Sequence, residues 1–153
     1  MLHVVLVEPE IHYNTGNVAR TCAATGCVLH LIEPLGFSLE DRYLRRAGLD
    51  YWPLVVLRVH PSWSAFRAEH ATGTFRFFAT RGARRHTQAS YGPDDYLVFG
   101  RESTGLPSEL LERHRKETFR IPMGPGVRSL NLSNAVAVVV YEALRQRSFP
   151  GLA

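Results

Sequence analysis

Short apolar runs alternate with amphipathic stretches along the whole chain. The runs are rich in β-branched and aromatic residues, which is typical of buried strands, and they lie at 2–7, 28–33, 54–59, 74–80, 96–100 and 118–122. Strands that alternate with helices favour a parallel sheet. The pattern therefore predicts an α/β fold with a mainly parallel sheet flanked by helices, in one domain that covers 1–153.

The helices between these runs are predicted from capping residues, prolines and glycines. Asn14 or Thr15 can cap a first helix, Ser38 opens a capping box, and Pro61 suits a first helical turn. The expected helices run over about 14–26, 38–47, from 61 onward, and over 107–114.

The segment 131–147 is ambiguous, because its valines favour a strand whereas its YEALRQR end favours a helix. Its length decides for a helix, capped by Ser133 or Asn131. Six consecutive apolar residues leave no polar face over nearly two turns. A helix of this kind is expected to be buried, and a second subunit is one surface that could bury it.

Composition limits the class of protein more than its function. The chain has 153 residues, 45% of them hydrophobic and 21% charged, which excludes collagen-like and disordered classes. Seventeen arginines and the single Lys116 give a net charge of +4. Arginine suits phosphate contacts, but a G+C-rich genome would produce the same bias. No targeting or membrane segment is evident, so a cytoplasmic protein is expected.

Cysteine and histidine give no sign of a metal site in the sequence. Cys22 and Cys27 lack the spacing of a metal finger, and we expect two reduced structural thiols. The seven histidines are scattered along the chain without an HExxH pattern. We therefore expect no bound metal.

Common nucleotide-binding motifs are absent, and three polar loops remain as candidate sites. The turn after the first strand has one glycine instead of G-x-G-x-x-G, and Leu106-Pro107 stands where a P-loop has Lys-Ser/Thr. The candidate loops, 14–20, 97–107 and 121–136, follow strands, where open α/β sheets bind ligands. Simple helix capping, a solvated Arg20 and an ordinary turn with an exposed Glu102 are the alternatives.

Taken in this order, the loops resemble those of the SPOUT superfamily of RNA methyltransferases, and most closely the small tRNA 2′-O-methyltransferases of the wobble nucleotide. The resemblance covers nearly the whole chain, through LHVVLVEPEIHYNTGNVAR, EDRYLRRAGLDYW, LVFGRESTGLP and RSLNLSNAVAVVVYEALRQ. It implies a carboxy-terminal trefoil knot, S-adenosylmethionine as cofactor, the anticodon loop of tRNA as substrate, and a homodimer. The knot is an exception to the rule that folds are unknotted.

The resemblance also implies the site residues. Arg20 matches the arginine that acts on the ribose 2′-hydroxyl, supported by Asn14, Glu102, Ser129 and Asn131. Because the pKa of arginine is far above neutral, we expect Arg20 to position the hydroxyl and stabilise its oxyanion rather than to remove its proton. The residues expected at the cofactor are Phe78, Gly100, Ile121, Met123, Ser129 and Leu130.

Two basic clusters are candidates for RNA contact, although either could be a solvated surface. The first shares one helix face at Arg42, Arg45 and Arg46; the second follows the fourth strand at Arg81, Arg84, Arg85 and His86. Arg101 stands where proline is common in the resembling group. Methylation of ribosomal RNA and a non-catalytic RNA-binding module are the alternative functions.

Overall fold

The computed structural model describes residues 1–40 and 51–153. Its strands are β1 (His3–Val7), β2 (Val28–Ile32), β3 (Val56–His60), β4 (Phe75–Phe78), β5 (Arg84–Arg85), β6 (Tyr96–Phe99) and β7 (Thr118–Arg120). They form one sheet in the order β3-β2-β1-β6-β4-β7-β5, and every neighbouring pair is parallel. The predicted α/β class and the six predicted strands are confirmed.

Two details of the strand prediction are wrong. β5 was not predicted, because two arginines in a row carry no apolar signal. The third strand begins at Val56 rather than at residue 54, because Trp52–Leu54 form a short 3₁₀ helix that contains Pro53. Proline fixes its own φ and has no N–H to donate to a strand partner.

The described helices are α1 (His12–Thr25), α2 (Trp63–Glu69), α3 (Ser108–Arg113) and α4 (Leu132–Gln146). Asn131 caps α4, as predicted, by accepting from the backbone N–H of Ser133 and of Asn134. In α2 the cap is Ser62, whose hydroxyl accepts from the N–H of Ala65, so Pro61 lies before the helix. Most of the helix predicted at 38–47 lies outside the described residues.

The start of α1 corrects the prediction that Asn14 or Thr15 caps it. The helix begins at His12, so the segment 14–20 is helix rather than loop, and both proposed caps are buried inside it. Ile11 is at the N-cap position and has no oxygen in its side chain. The side chain that accepts hydrogen bonds from the backbone N–H groups at the start of α1 comes instead from another loop of the chain.

The sheet separates two apolar clusters. One lies under α1 and α4 and contains Val18, Cys22 and Val136, while the other lies under α2 and α3 and contains Phe66 and Phe77. Both cysteines are free and buried, as expected, and burial raises the pKa of Cys22. Among the described residues, no helix combines the length and apolar character that crossing a membrane requires.

Helix α4 is buried by the rest of its own chain on one side only. Val136, Val139 and Val140 face the core with no exposed surface. Val138 and Tyr141, however, are 41% and 46% exposed. The helix therefore has an exposed face that includes two large apolar side chains.

Candidate active site

A carboxylate from one loop holds the beginning of helix α1. Glu102, which follows β6, accepts a hydrogen bond from the N–H of Glu10 through Oε1 at 2.8 Å. Its Oε2 accepts from the N–H of Ile11 at 2.8 Å and from Nδ2 of Asn14 at 3.1 Å. An anion is favoured at the positive end of a helix. This contact explains why α1 begins without a capping side chain of its own.

Two asparagines extend this contact to the third predicted loop. Nδ2 of Asn131 donates to Oδ1 of Asn14 at 3.0 Å. Oδ1 of Asn131 accepts from the N–H of Ser133 at 2.9 Å and from its hydroxyl at 2.6 Å. We call Glu102, Asn14 and Asn131 the amide network. The amide network joins the three segments that were predicted as candidate sites. Their polar residues therefore contact one another in addition to capping helices.

The loop after β6 is closed upon itself and fixed to the segment after β1. A Cβ atom at Gly100 would lie 2.1 Å from the backbone of Gly105, so only glycine fits there. Glu10 accepts from both the N–H and the hydroxyl of Ser103, and these hydrogen bonds lower its pKa. Arg101 forms an ion pair with Glu8 at 2.8 Å. Arg101 thus holds this loop rather than projecting freely into solvent.

Arg20 lies near the carboxyl end of α1 with its side chain exposed. Its Nη2 donates to the hydroxyl of Tyr51 at 3.1 Å, and its Cζ is 4.6 Å from the centre of that ring. Within the described part of the chain, Arg20 makes no hydrogen bond to the amide network. Tyr51 was missed as a site residue, although it lies in one of the segments that carry the resemblance.

The residues predicted at the cofactor lie at the carboxyl ends of β4, β6 and β7, three neighbouring strands. Phe78 ends β4 and is nearly buried, stacked on Phe99 with 4.9 Å between ring centres. Ile121 and Met123 are half-buried, and Ser129 and Leu130 are exposed. Phe78, Gly100 and Ile121 thus end or directly follow three neighbouring parallel strands, and Ser129 and Leu130 lie further along the segment after β7.

Comparison with known proteins identifies the family. Residues 1–141 match the SpoU rRNA Methylase family. The chain belongs to this family. A tRNA (cytidine(34)-2′-O)-methyltransferase of Burkholderia ambifaria is 56% identical and is covered over 99% of both chains.

Solved structures of other SpoU-related proteins share the fold. One, described as giving insights into the 2-OH methylation of C/U34 on tRNA, is 52% identical over 97% of both chains with a TM-score of 0.93. The SpoU methyltransferase AviRb of Streptomyces viridochromogenes, in complex with AdoMet, has a TM-score of 0.81 at 24% identity. The match covers 97% of this chain and 58% of AviRb.

The basic clusters of this SpoU family member are only partly as predicted. Arg81, Arg84 and Arg85 are exposed, in agreement with a surface role. His86 is buried, so its inclusion in the basic surface is wrong. The packing of the short 3₁₀ helix His86–Gln88 turns its ring inward. The cluster at Arg42, Arg45 and Arg46 lies outside the described residues.

Proposed function

We propose that this chain transfers a methyl group from S-adenosylmethionine to the ribose 2′-hydroxyl of the wobble nucleotide of tRNA, a cytidine or a uridine. The observation that carries the proposal is the amide network, which fixes three loops at one edge of the sheet. The substrate is supported by curated relatives that are 50–56% identical and are named for cytidine 34 of tRNA. A tRNA substrate also implies a cytoplasmic enzyme.

The loops after β4, β6 and β7 suit an adenosine-containing cofactor. A Cβ at Gly124 or Gly126 would meet no atom within 4 Å, so the backbone there borders open space. Leu130, 39% exposed, offers apolar surface beside exposed backbone groups. We assign Phe78, Gly100, Ile121, Met123, Ser129 and Leu130 to this site, and we expect the trefoil knot to form around these loops. When bound, S-adenosylmethionine supplies a methyl group activated by a positively charged sulfur.

Arg20 is the residue that we assign to the 2′-hydroxyl. This hydroxyl is a weak nucleophile at neutral pH, so its oxygen needs stabilisation as its proton leaves to solvent or to an RNA phosphate. The guanidinium can donate hydrogen bonds to that oxygen and balance its developing charge. Tyr51 packs against one face of Arg20 and restricts its position. Asn14, Glu102 and Asn131 hold the surrounding loops in place, and we assign a supporting polar role to the exposed Ser129.

A homodimer is the expected assembly. The exposed apolar residues Val138 and Tyr141 lie on α4, next to α1, which carries Arg20 and the exposed Tyr13. A second copy that covers this face would bury these side chains and bring its own surface close to Arg20. A monomer at micromolar concentration in native mass spectrometry would contradict this assembly.

Methyl transfer to unmodified tRNA transcripts tests the function directly. The protein is incubated with S-adenosylmethionine that carries a labelled methyl group, and 2′-O-methyl positions are mapped by mass spectrometry. We expect label at nucleotide 34 in a subset of tRNAs and none when that nucleotide carries a 2′-deoxyribose. Label only in ribosomal RNA would favour the rRNA alternative. Absence of cofactor binding in calorimetry would favour a non-catalytic RNA-binding module.

A further inference from the structure

Four histidines that are far apart in the sequence come together on the face of the sheet that α2 covers. His3, His30 and His60 lie on β1, β2 and β3, each two residues further along its strand in the parallel register. Their side chains therefore form a diagonal row on one face, and His70 joins them from the end of α2. We call these residues the histidine cluster. Histidines that are scattered along the chain are therefore neighbours in the folded protein.

The cluster is connected by hydrogen bonds between rings. Nδ1 of His3 lies 2.9 Å from Nε2 of His30, and Nδ1 of His30 lies 3.0 Å from Nε2 of His60. Nδ1 of His70 lies 2.8 Å from the hydroxyl of Tyr96. The carboxylate of Glu69 is 3.6 Å from Nδ1 of His60 and 3.9 Å from Nε2 of His70.

Three of these rings have the separations of ligands around one metal ion. One ring nitrogen from each of His30, His60 and His70 lies within 4.8 Å of the other two. The ring centres are 5.2, 5.3 and 5.9 Å apart. In a tetrahedral zinc site with Zn–N bonds near 2.0–2.1 Å, imidazole centres are expected about 5 Å apart. Modest movement of the rings would admit an ion.

The surroundings of each ring favour the form that binds metal. His30 and His60 are buried, and burial disfavours the charged form of an imidazole. A neutral imidazole offers a lone pair to a metal, and its other nitrogen then needs an acceptor. His3 lies at hydrogen-bond distance from His30, and the hydroxyl of Tyr96 does so from His70. The carboxylate of Glu69 lies at ion-pair distance from Nδ1 of His60, at 3.6 Å.

We propose that His30, His60 and His70 bind a divalent ion of the zinc class, with the fourth position open to water. The ligand atoms are Nδ1 of His30, Nε2 of His60 and Nε2 of His70. The ion replaces the hydrogen bond between His30 and His60, and the proton of His30 then lies on Nε2, directed at His3. Because β2, β3 and the end of α2 each supply one ligand, the ion cross-links two strands of the sheet to α2.

Zinc titration of the chelator-treated, full-length protein against a chromophoric competitor tests the proposal. We expect one zinc per chain and a higher Tm when zinc is present. In His70→Gln the affinity falls more than about 100-fold, beyond the 10–100-fold typical of losing an outer-shell partner. His114→Gln is the matched control: this ring stacks on Phe77 on the same face of the sheet, outside the cluster, and zinc binding is unchanged.

Cobalt gives an independent readout, because tetrahedral Co²⁺ absorbs in the visible range and the band is lost in His70→Gln. If that variant does not fold, Glu69→Gln replaces it, since this side chain is 68% exposed, and an affinity about 10-fold lower is expected. A protein that binds no zinc at micromolar concentration overturns the site. Equal zinc affinity in the wild type, in His70→Gln and in Glu69→Gln also overturns the site, because the ion then binds elsewhere.

Discussion

The amide network and the histidine cluster are both polar groups tied together by hydrogen bonds, but they occupy opposite faces and different depths of the same sheet. The network lies at the carboxyl ends of strands and includes a charged carboxylate with backbone partners. The cluster lies across the middle of β2 and extends to the end of β3, and its buried rings are neutral. Open space at the strand ends is where ligands bind in α/β sheets. The interior face can instead hold a small ion that needs no large cavity.

The amide network is therefore suited to a role in catalysis, and the histidine cluster to a role in stability. The network orders the loops to which we assign the cofactor and the catalytic residues, so its loss is expected to affect methyl transfer. The cluster joins secondary structure elements to one another, so its loss is expected to affect stability. Variants of the amide network should therefore change the rate of methyl transfer, and variants of the histidine cluster should change the free energy of unfolding.

The largest effect is expected for Arg20→Ala, since it removes the proposed stabilisation of the 2′-oxyanion. Loss of one such group lowers kcat about 10²–10³-fold. S-adenosylmethionine affinity, measured by calorimetry, should stay nearly unchanged. The matched control is Arg67→Ala, because Arg67 also lies over an aromatic ring, 4.1 Å from the centre of Phe75, but on α2. A fully active Arg20→Ala variant would show that the catalytic assignment is wrong.

Gly100→Ala should disrupt the loop after β6, because the new Cβ would overlap the backbone of Gly105 and Leu106. Forcing extra atoms into a packed position costs about 1–3 kcal/mol, and cofactor affinity should fall with the displaced loop. Gly124→Ala places the same methyl group where no atom lies within 4 Å and is the control for stability, not for cofactor affinity, because Gly124 borders the proposed cofactor site. Urea unfolding measures stability and calorimetry measures cofactor affinity; equal unfolding free energies of the two variants would contradict the tight closure at Gly100.

Glu102→Gln tests the centre of the amide network while keeping the shape of the side chain. Its amide nitrogen would face an N–H donor at one of the two places where a carboxylate oxygen now accepts. A lost charged hydrogen bond of this kind lowers the free energy of unfolding by about 1–3 kcal/mol. Glu112→Gln, at an exposed position of α3, is the control. Unchanged stability of Glu102→Gln would mean that the helix start does not depend on this carboxylate.

The smallest effect concerns acid sensitivity on the network's side of the sheet. Hydrogen bonds from Arg145 and Gln146 lower the pKa of Glu142 from 4.5 to about 2. Its stabilising contribution is therefore complete above pH 4.5 and is lost as the pH falls toward 2. The difference in unfolding free energy between wild type and Glu142→Gln should be below about 1 kcal/mol at pH 7 and shrink by pH 3. A difference that grows in acid would contradict this pKa shift.

The sequence predicts the sheet well because burial on both faces leaves continuous apolar runs, as in 2–7 and 28–33. It predicts the start of α1 poorly, since the carboxylate that satisfies this helix end comes from Glu102, about ninety positions away. The polar surplus at Asn131 and Ser133 indicated a binding site, and the structure shows Asn131 donating to Asn14 and accepting from Ser133. The role of Arg20 and the cofactor residues stay predictions.

The histidine cluster was not predictable from spacing. Its members are separated by 27, 30 and 10 positions, and only the register of β1, β2 and β3 aligns them. Sequence motifs describe ligands that share one local element, such as two histidines on a helix. A site assembled from two strands and a helix end has no such local pattern, so the sequence alone gave no reason to expect a metal.

The position of Asn131 at the beginning of α4 determines more than where that helix starts. Backbone N–H groups occupy its oxygen, so only its NH₂ can face Asn14. Asn14 must then present its own oxygen to Asn131 and its NH₂ to Glu102. The donor and acceptor order of the whole network is thus set by the polarity of one helix. An aspartate at position 131 would keep the cap and yet place oxygen against the oxygen of Asn14, so a change of one side-chain atom would break the hydrogen bond that joins α4 to α1.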